Sequence, residues 1–301
     1  MQKGDFSLEL IIGEDAGNDK TKNICIEYQK KYPNTVRLLL QIENQGIVKN
    51  YIDVIRLCRG KYIAQCAGDD YWIDEFKLSK QVAFLEDNPE YGVVSTDGYR
   101  LLVKKNKFIE GIPPLTPVLD GNVFDLTWKD GVYAMPLSLM FRASLLDYIN
   151  FDEFVKRKFS VEDVPMQAIM AKYSKFGHIP DLTCVYRVHS SSATFITFNK
   201  SGYLYYHEGL VAIRKYLNEL FPNDVIYSEQ WAHDYMAYRR FLVNLYNLNY
   251  KEALTNLNSV IKNTKKIKRA KFLSKTYVGF FIFSLIKRIK LYLNVRKCEI
   301  N

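Results

Sequence analysis

The sequence predicts an α/β protein: a mainly parallel sheet flanked by helices, followed by an α-helical C-terminal region. Three observations predict it. Short apolar runs alternate with helix-spaced segments through the first two-thirds of the chain. Strand signals stop near residue 200, and helical spacing takes over. Acidic clusters follow two of the strand-like runs, which a parallel sheet would place at one carboxyl edge, where ligands bind.

The elements follow in order. Ser7–Gly13 (SLELIIG) is short, apolar and bounded by turn formers, so it reads as a buried strand. Asn18–Lys31 carries Ile24, Cys25 and Tyr28 at helical spacing, and Pro33 stops it. Val36–Gln41 reads as a strand, Ile47–Cys58 as a helix closed by Gly60, and Tyr62–Cys66 as a strand. Asp74 is placed to cap a helix from Glu75 to about Asn88, ahead of Pro89. Tyr91–Ser95 is strand-like again. From 98 to 135 the pattern breaks up around Pro113, Pro114 and Pro117 into two short strands and a loop. Leu137–Phe141 reads as a strand, Val161–Ser174 as a helix, and Gly177–Ile179 and Thr183–His189 as two further strands. The expected division is a catalytic domain over 1–200, a helical cap over 201–255 and a basic amphipathic tail over 256–301.

Of 301 residues, 48% are apolar and 25% charged, which excludes a collagen, a disulfide miniprotein and a disordered tail. The net charge of +9 is uneven. Residues 256–301 hold twelve Lys/Arg and one acid, leaving the rest near neutral. The five cysteines form no CxxC pair, which fits a reduced, cytosolic setting. Met1–Asp5 has no apolar run, and the longest such run, Tyr277–Ile286, is half the length that a bilayer span needs.

The residues that suggest chemistry fall in four places. Glu14-Asp15-Ala16-Gly17-Asn18-Asp19 follows the first strand, and Gly68-Asp69-Asp70-Tyr71-Trp72 follows the third. Adjacent carboxylates at a strand end suit Mg²⁺, which takes oxygen ligands and is commonly shared with substrate phosphates. The plain alternatives are that Asp19 caps the next helix and that Asp69-Asp70 is a solvated turn. Glu162-Asp163 opens a helix. Asp163 is either a general base or, with Ser160, a capping box. His189 ends a strand, as a structural residue or as a partner for metal or phosphate.

Taken together, these stretches resemble family 2 glycosyltransferases of the GT-A fold, especially bacterial enzymes of surface-polysaccharide assembly. The matching segments are IIGEDAGNDKT, ENQGIVKNY, RGKYIAQCAGDDYW, KLSKQVAFLEDNPEYGVVSTD, LSLMFR, VEDVPMQAIMAKYSKFGHIPDL and VYRVHSSS, over about residues 1–195. The resemblance implies inverting transfer of a sugar from a nucleotide diphosphate sugar, a UDP-sugar being favoured. The acceptor would be a glycan or lipid-linked glycan of capsule, O-antigen or exopolysaccharide synthesis. It implies that Asp163 is the catalytic base and that Glu14, Asp15, Asp19, Asp69 and Arg187 contact the nucleotide sugar. Asp70, Asp69 and His189 would serve Mg²⁺ or Mn²⁺.

Two departures stand out. Ala67 occupies a position where relatives usually carry an acid. The strand and helix with which relatives begin are absent, so Met1 is expected to be an internal methionine of a longer natural protein. The rival classes are a non-catalytic or decayed relative that only binds nucleotide sugar or glycan, and a dehydrogenase. No GxGxxG or GxxxxGK[ST] follows any strand, which argues against the last. The tail combines Lys262–Lys275, the TYVGFFIFSLI block and Lys287-Arg288-Ile289-Lys290, and predicts binding to an anionic membrane surface rather than to nucleic acid. The expected location is the inner face of the cell membrane, as a peripheral protein.

Overall fold

β1 (Leu10–Glu14) and β2 (Val36–Leu40) are apolar pentapeptides joined by α1 (Thr21–Lys31). They pair in parallel, Leu10 opposite Val36 and Glu14 opposite Leu40. The computed structural model describes residues 2–111, 118–129, 131–189, 202–261 and 264–287. The chain divides into two units, Met1–Arg100 with Glu110–Arg187, and Leu101–Ile109 with Val188–Asn301.

In the first unit, α2 (Ile47–Ile55) packs on β1 and buries Ile52 and Ile55. Then follow β3 (Tyr62–Ala64), β4 (Tyr71–Trp72), α3 (Lys77–Asp87), β5 (Tyr91–Leu102) and β6 (Lys107–Glu110), of which Leu101–Leu102 and Lys107–Ile109 are counted with the second unit. α4 (Phe124–Trp128), β7 (Met140–Arg142), α5 (Phe151–Lys156), α6 (Asp163–Tyr173) and β8 (Lys175–Val188) come next. The larger sheet has the order β3-β7-β5-β8-β4, with β6 paired to β5. Leu78 and Leu85 of α3 pack on Val94 and Met140 of this sheet. Burying each such side chain contributes about 1.5–3 kcal/mol.

The sheet is mixed, where the alternating pattern predicts a mainly parallel one. β7 lies between β3 and β5 and runs antiparallel to both, pairing Ile63 with Phe141 and Val93 with Phe141. β3 and β5 therefore run in the same direction, as a crossover through α3 requires, but they are not neighbours. β4 is antiparallel to β8, Tyr71 opposite Val185. The β1–β2 pair forms a separate sheet, so among the described residues β1 pairs only with β2 and β3 only with β7.

Two element boundaries also differ. Lys175–Val188 is one strand of 14 residues rather than two, because Pro180 is carried within it without ending it. α6 starts at Asp163 with Glu162, not Ser160, at its N-cap, and the Glu162 side chain makes no cap bond. The Pro113, Pro114 and Pro117 segment lies outside the described residues.

Among the described residues of the second unit, those from 202 onward are mainly helical. α7 (Gly202–Leu220), α8 (Glu229–Tyr246), α9 (Tyr250–Asn258) and α10 (Lys265–Leu273) are followed by a helix, α11, over 277–287. Its core joins Phe241 and Leu245 to Leu257, Val260, Phe280 and Phe283. The Ser284 hydroxyl donates to the Leu245 carbonyl at 2.7 Å, tying α11 to α8. The 277–286 apolar block is thus two-faced. Phe280 and Phe283 are buried, while Tyr277, Val278, Phe281, Ile282 and Leu285 are exposed.

Candidate active site

The first cluster forms where β1 ends. Glu14 is buried, and its Oε1 accepts the Gly17 N–H at 2.7 Å. Its Oε2 is buried with no hydrogen-bond partner. Asp15 reaches across to the next loop, where its carboxylate accepts Gln45 N–H at 2.7 Å and Gly46 N–H at 2.9 Å. Gly46 has φ +82 and precedes α2, a conformation that a side chain would strain. Ala16 is held at φ 54, left-handed without being glycine. Asp19 accepts Thr21 N–H at 2.8 Å at the start of α1, and these hydrogen bonds hold its carboxyl below the ordinary value. Lys20 rather than Asp19 holds the N-cap of α1, and Asp19 bonds the first helical N–H from the position before it.

The second cluster follows β3. Asp70 N–H donates to the Ala67 carbonyl at 3.0 Å, closing a turn over residues 67–70. The Arg187 N–H donates to Asp70 Oδ1 at 2.9 Å, and the Arg187 side chain donates from Nε to the Asp69 carbonyl. The short β4–β8 ladder sets this up by placing Tyr71 and Trp72 opposite Val185 and Cys184. Asp69-Asp70 is therefore a turn clamped by β8, not a loose solvated one.

The third cluster lies at the start of α6. Loss of water raises both Glu162 and Asp163. The charge of Asp163 adds to the effect on Glu162, which reaches about 7. The Asp163 carboxylate accepts Val164 N–H at 2.8 Å. Tyr51 of α2 is near enough to both acids for their charges to add to the burial that raises its own phenol. The Tyr51 hydroxyl donates to Gln65 Oε1 at 2.7 Å. Gln65 leaves β3 and leads into the Asp69-Asp70 turn, so one segment connects the acid pair and the clamped turn.

His189 follows β8, is half-buried and falls in the second unit. Among the described residues no three His, Cys, Asp or Glu converge to hold a metal ion. Two adjacent carboxylates still match what Mg²⁺ requires when water and phosphate complete its shell.

Sequence patterning misses Lys77. On an amphipathic helix a lysine reads as solvated, yet this one is fully buried. Its Nζ donates to Gln81 Oε1 at 2.5 Å and to the Ser138 carbonyl at 3.4 Å, and lies 4.7 Å from the centre of the Trp72 ring. Gln81 Nε2 also donates to the Val94 and Ser138 carbonyls. Burial lowers Lys77 to about 8. The only signal in the sequence is Lys77 and Gln81 standing four apart beside the Asp69-Asp70 turn.

Residues 2–145 match the family Glycosyl transferase family 2. The match takes in a little under half of the chain. An uncharacterized protein of Mycobacterium tuberculosis (strain H37Rv) is 46% identical over 89 residues, 30% of this chain and 26% of that protein. The putative glycosyltransferase EpsE of Bacillus subtilis is 28% identical over 158 residues, 52% of this chain and 54% of EpsE. The chain thus spans about a quarter and about half of the lengths of these relatives. The fold resembles that of S. aureus TarS 1–349, with TM-score 0.50 and 14% identity over 93% of this chain and 72% of that one. Mannosyltransferase PcManGT from Pyrobaculum calidifontis, solved with GDP-Man and Mn²⁺, gives TM-score 0.49 and 15% identity over 92% and 78%. The architecture is GT-A-like.

Proposed function

We propose that this chain transfers a sugar, with inversion, from a nucleotide diphosphate sugar to a glycan or lipid-linked glycan acceptor of bacterial polysaccharide synthesis. The observation that carries the reading is that the Arg187-clamped Asp69-Asp70 turn, inside the family 2 match, and the Glu162-Asp163 acid pair, beyond its end, are linked through Gln65 and Tyr51. The match to EpsE, a putative glycosyltransferase, supports it.

Asp163 takes the proton from the acceptor hydroxyl, and the oxygen then attacks the anomeric carbon opposite the diphosphate. A base acts best when its pKa lies near the working pH, and crowding moves this acid pair in that direction. Asp69 and Asp70 would hold Mg²⁺ or Mn²⁺, which when bound offsets charge on the departing diphosphate. Arg187 fixes the turn that presents them. Glu14, Asp15 and Asp19 shape the loop beside the nucleotide. Asp15 does so by joining two loops, which gives it a positioning role.

Among the described residues no helix is long and apolar enough to cross a membrane. The exposed Tyr277, Val278, Phe281 and Ile282, with the lysines of α10, support peripheral binding to an anionic membrane surface. The test is release of nucleoside diphosphate from a panel of sugar donors with Mg²⁺ or Mn²⁺, starting with UDP-sugars. Release that disappears in Asp70→Ala is expected. Release unchanged in that variant would defeat the assignment.

A further inference from the structure

A groove in the second unit lies apart from the candidate active-site residues, and only Lys266 of its lining is among the α10 lysines considered above for membrane binding. It runs between α8 and Val260, Ile261, Thr264, Lys266 and Ile267, and its volume is about 510 Å³. Small-molecule sites commonly span roughly 300–1,000 Å³. Its charged lining residues are Arg239, Lys266 and Asp234. Asp234 is already engaged, accepting Gln230 Nε2 at 3.0 Å and Ile261 N–H at 2.9 Å, with His233 Nδ1 at 3.5 Å.

The two cations have no carboxylate partner among the described residues. Arg239 lies 4.6 Å from the centre of the Tyr235 ring and donates to the hydroxyls of Tyr203 and Tyr235 at 3.4 and 3.3 Å. Tyr235 stacks on Trp231 at 5.2 Å, and Arg214 sits 4.5 Å from the Trp231 ring centre. This ladder of rings and guanidiniums holds Arg239 in place at the groove. Lys266 Nζ rests 4.9 Å from the centre of the Tyr238 ring. Loss of water, and then the charge of Arg239, depress the Lys266 ammonium. Two like charges are thus held close enough to oppose each other. Arg239 Nε and the Tyr238 hydroxyl are buried with no hydrogen-bond partner, a condition that in native proteins usually marks a water, an ion or a ligand.

We propose that this groove binds a phosphate group carried on a ligand with an apolar portion. A phosphate ester supplies the missing counter-charge and several acceptor oxygens, matching donors of Arg239, Lys266 and Tyr238. Val260, Ile261 and Ile267 line the groove beside them and suit the apolar portion. The same chemistry is offered by a phospholipid headgroup or by a soluble phosphate ester. The proposal does not depend on the transferase reading.

The test uses the full chain and phenyl phosphate, titrated by calorimetry at low salt, with competition by vesicles of phosphatidylcholine with or without phosphatidylglycerol. One saturable site is expected. Lys266→Gln should weaken it about tenfold, the scale of a lost charge-assisted hydrogen bond. Tyr238→Phe should weaken it severalfold without lowering the melting temperature, since the hydroxyl removed has no partner in the free protein. These two variants leave the Arg239 ladder intact, so a folding failure does not obscure the result. Displacement only by phosphatidylglycerol vesicles identifies a headgroup site, and binding without displacement identifies a soluble ester site. No saturable binding, or equal affinity in the wild type, Lys266→Gln and Tyr238→Phe, would overturn the proposal.

Discussion

Glu162→Gln isolates the physical state of the acid pair. In the folded chain Glu162 titrates at about 7, against an ordinary glutamate value of 4.5, because water is excluded and Asp163 stands beside it. Between those two values the folded protein keeps a proton that the unfolded chain has released. Stability from this group is therefore full below 4.5 and is lost as pH rises through 7. At 1.36 kcal/mol per pH unit, the loss across that window is at most about 3 kcal/mol. That is a large share of a typical 5–15 kcal/mol. Glutamine keeps the shape and removes the titration. Urea unfolding of both proteins at pH 4.5 and pH 7.5 measures the difference directly. The variant should gain on the wild type by up to about 3 kcal/mol between the two conditions. A stability difference that is the same at both pH values would refute the reasoning.

Other outcomes follow from the same contacts. Lys77→Met removes a buried cation whose hydrogen bonds go to Gln81 Oε1 and the Ser138 carbonyl; it should stabilise the fold by about 1–3 kcal/mol at pH 7. That advantage should shrink as pH rises from about 8 toward 10.5, because the buried lysine sheds a proton that the unfolded chain still keeps, and calorimetry at pH 7 and 10 checks it. Asp15→Ala leaves the Gln45 and Gly46 N–H groups without their acceptor and should cost about 1–2 kcal/mol by urea unfolding. The chain should sediment with anionic vesicles at low salt and release at high salt, and absence of binding at low salt would count against membrane attachment.

Much of the fold was legible because its signals are local. SLELIIG and VRLLL read as strands and KLSKQVAFLED as a helix, although the first strand starts only at Leu10 and is half-buried rather than buried. Strand order was not legible. Nothing in LSLMFR says that it inserts between β3 and β5, since pairing partners are chosen by long-range packing. The candidate acids were legible as clusters, yet their states were not. Only three-dimensional crowding makes Glu162 different from any helix-start glutamate, and only the fold buries Lys77. Asp19 and Asp163 show the reverse lesson. Both fit a helix-start role by spacing, yet the N-caps of α1 and α6 are Lys20 and Glu162, and Asp19 bonds the Thr21 N–H from the position before the cap.

The most direct measurement is turnover of the donor that supports nucleoside diphosphate release, comparing the wild type with Asp163→Asn and reading the product anomer by NMR. The account predicts a product of inverted configuration and a fall in kcat of at least a hundredfold in the variant, with donor affinity little changed. Retained configuration, or a variant as fast as the wild type, would contradict the assignment of Asp163 as the base.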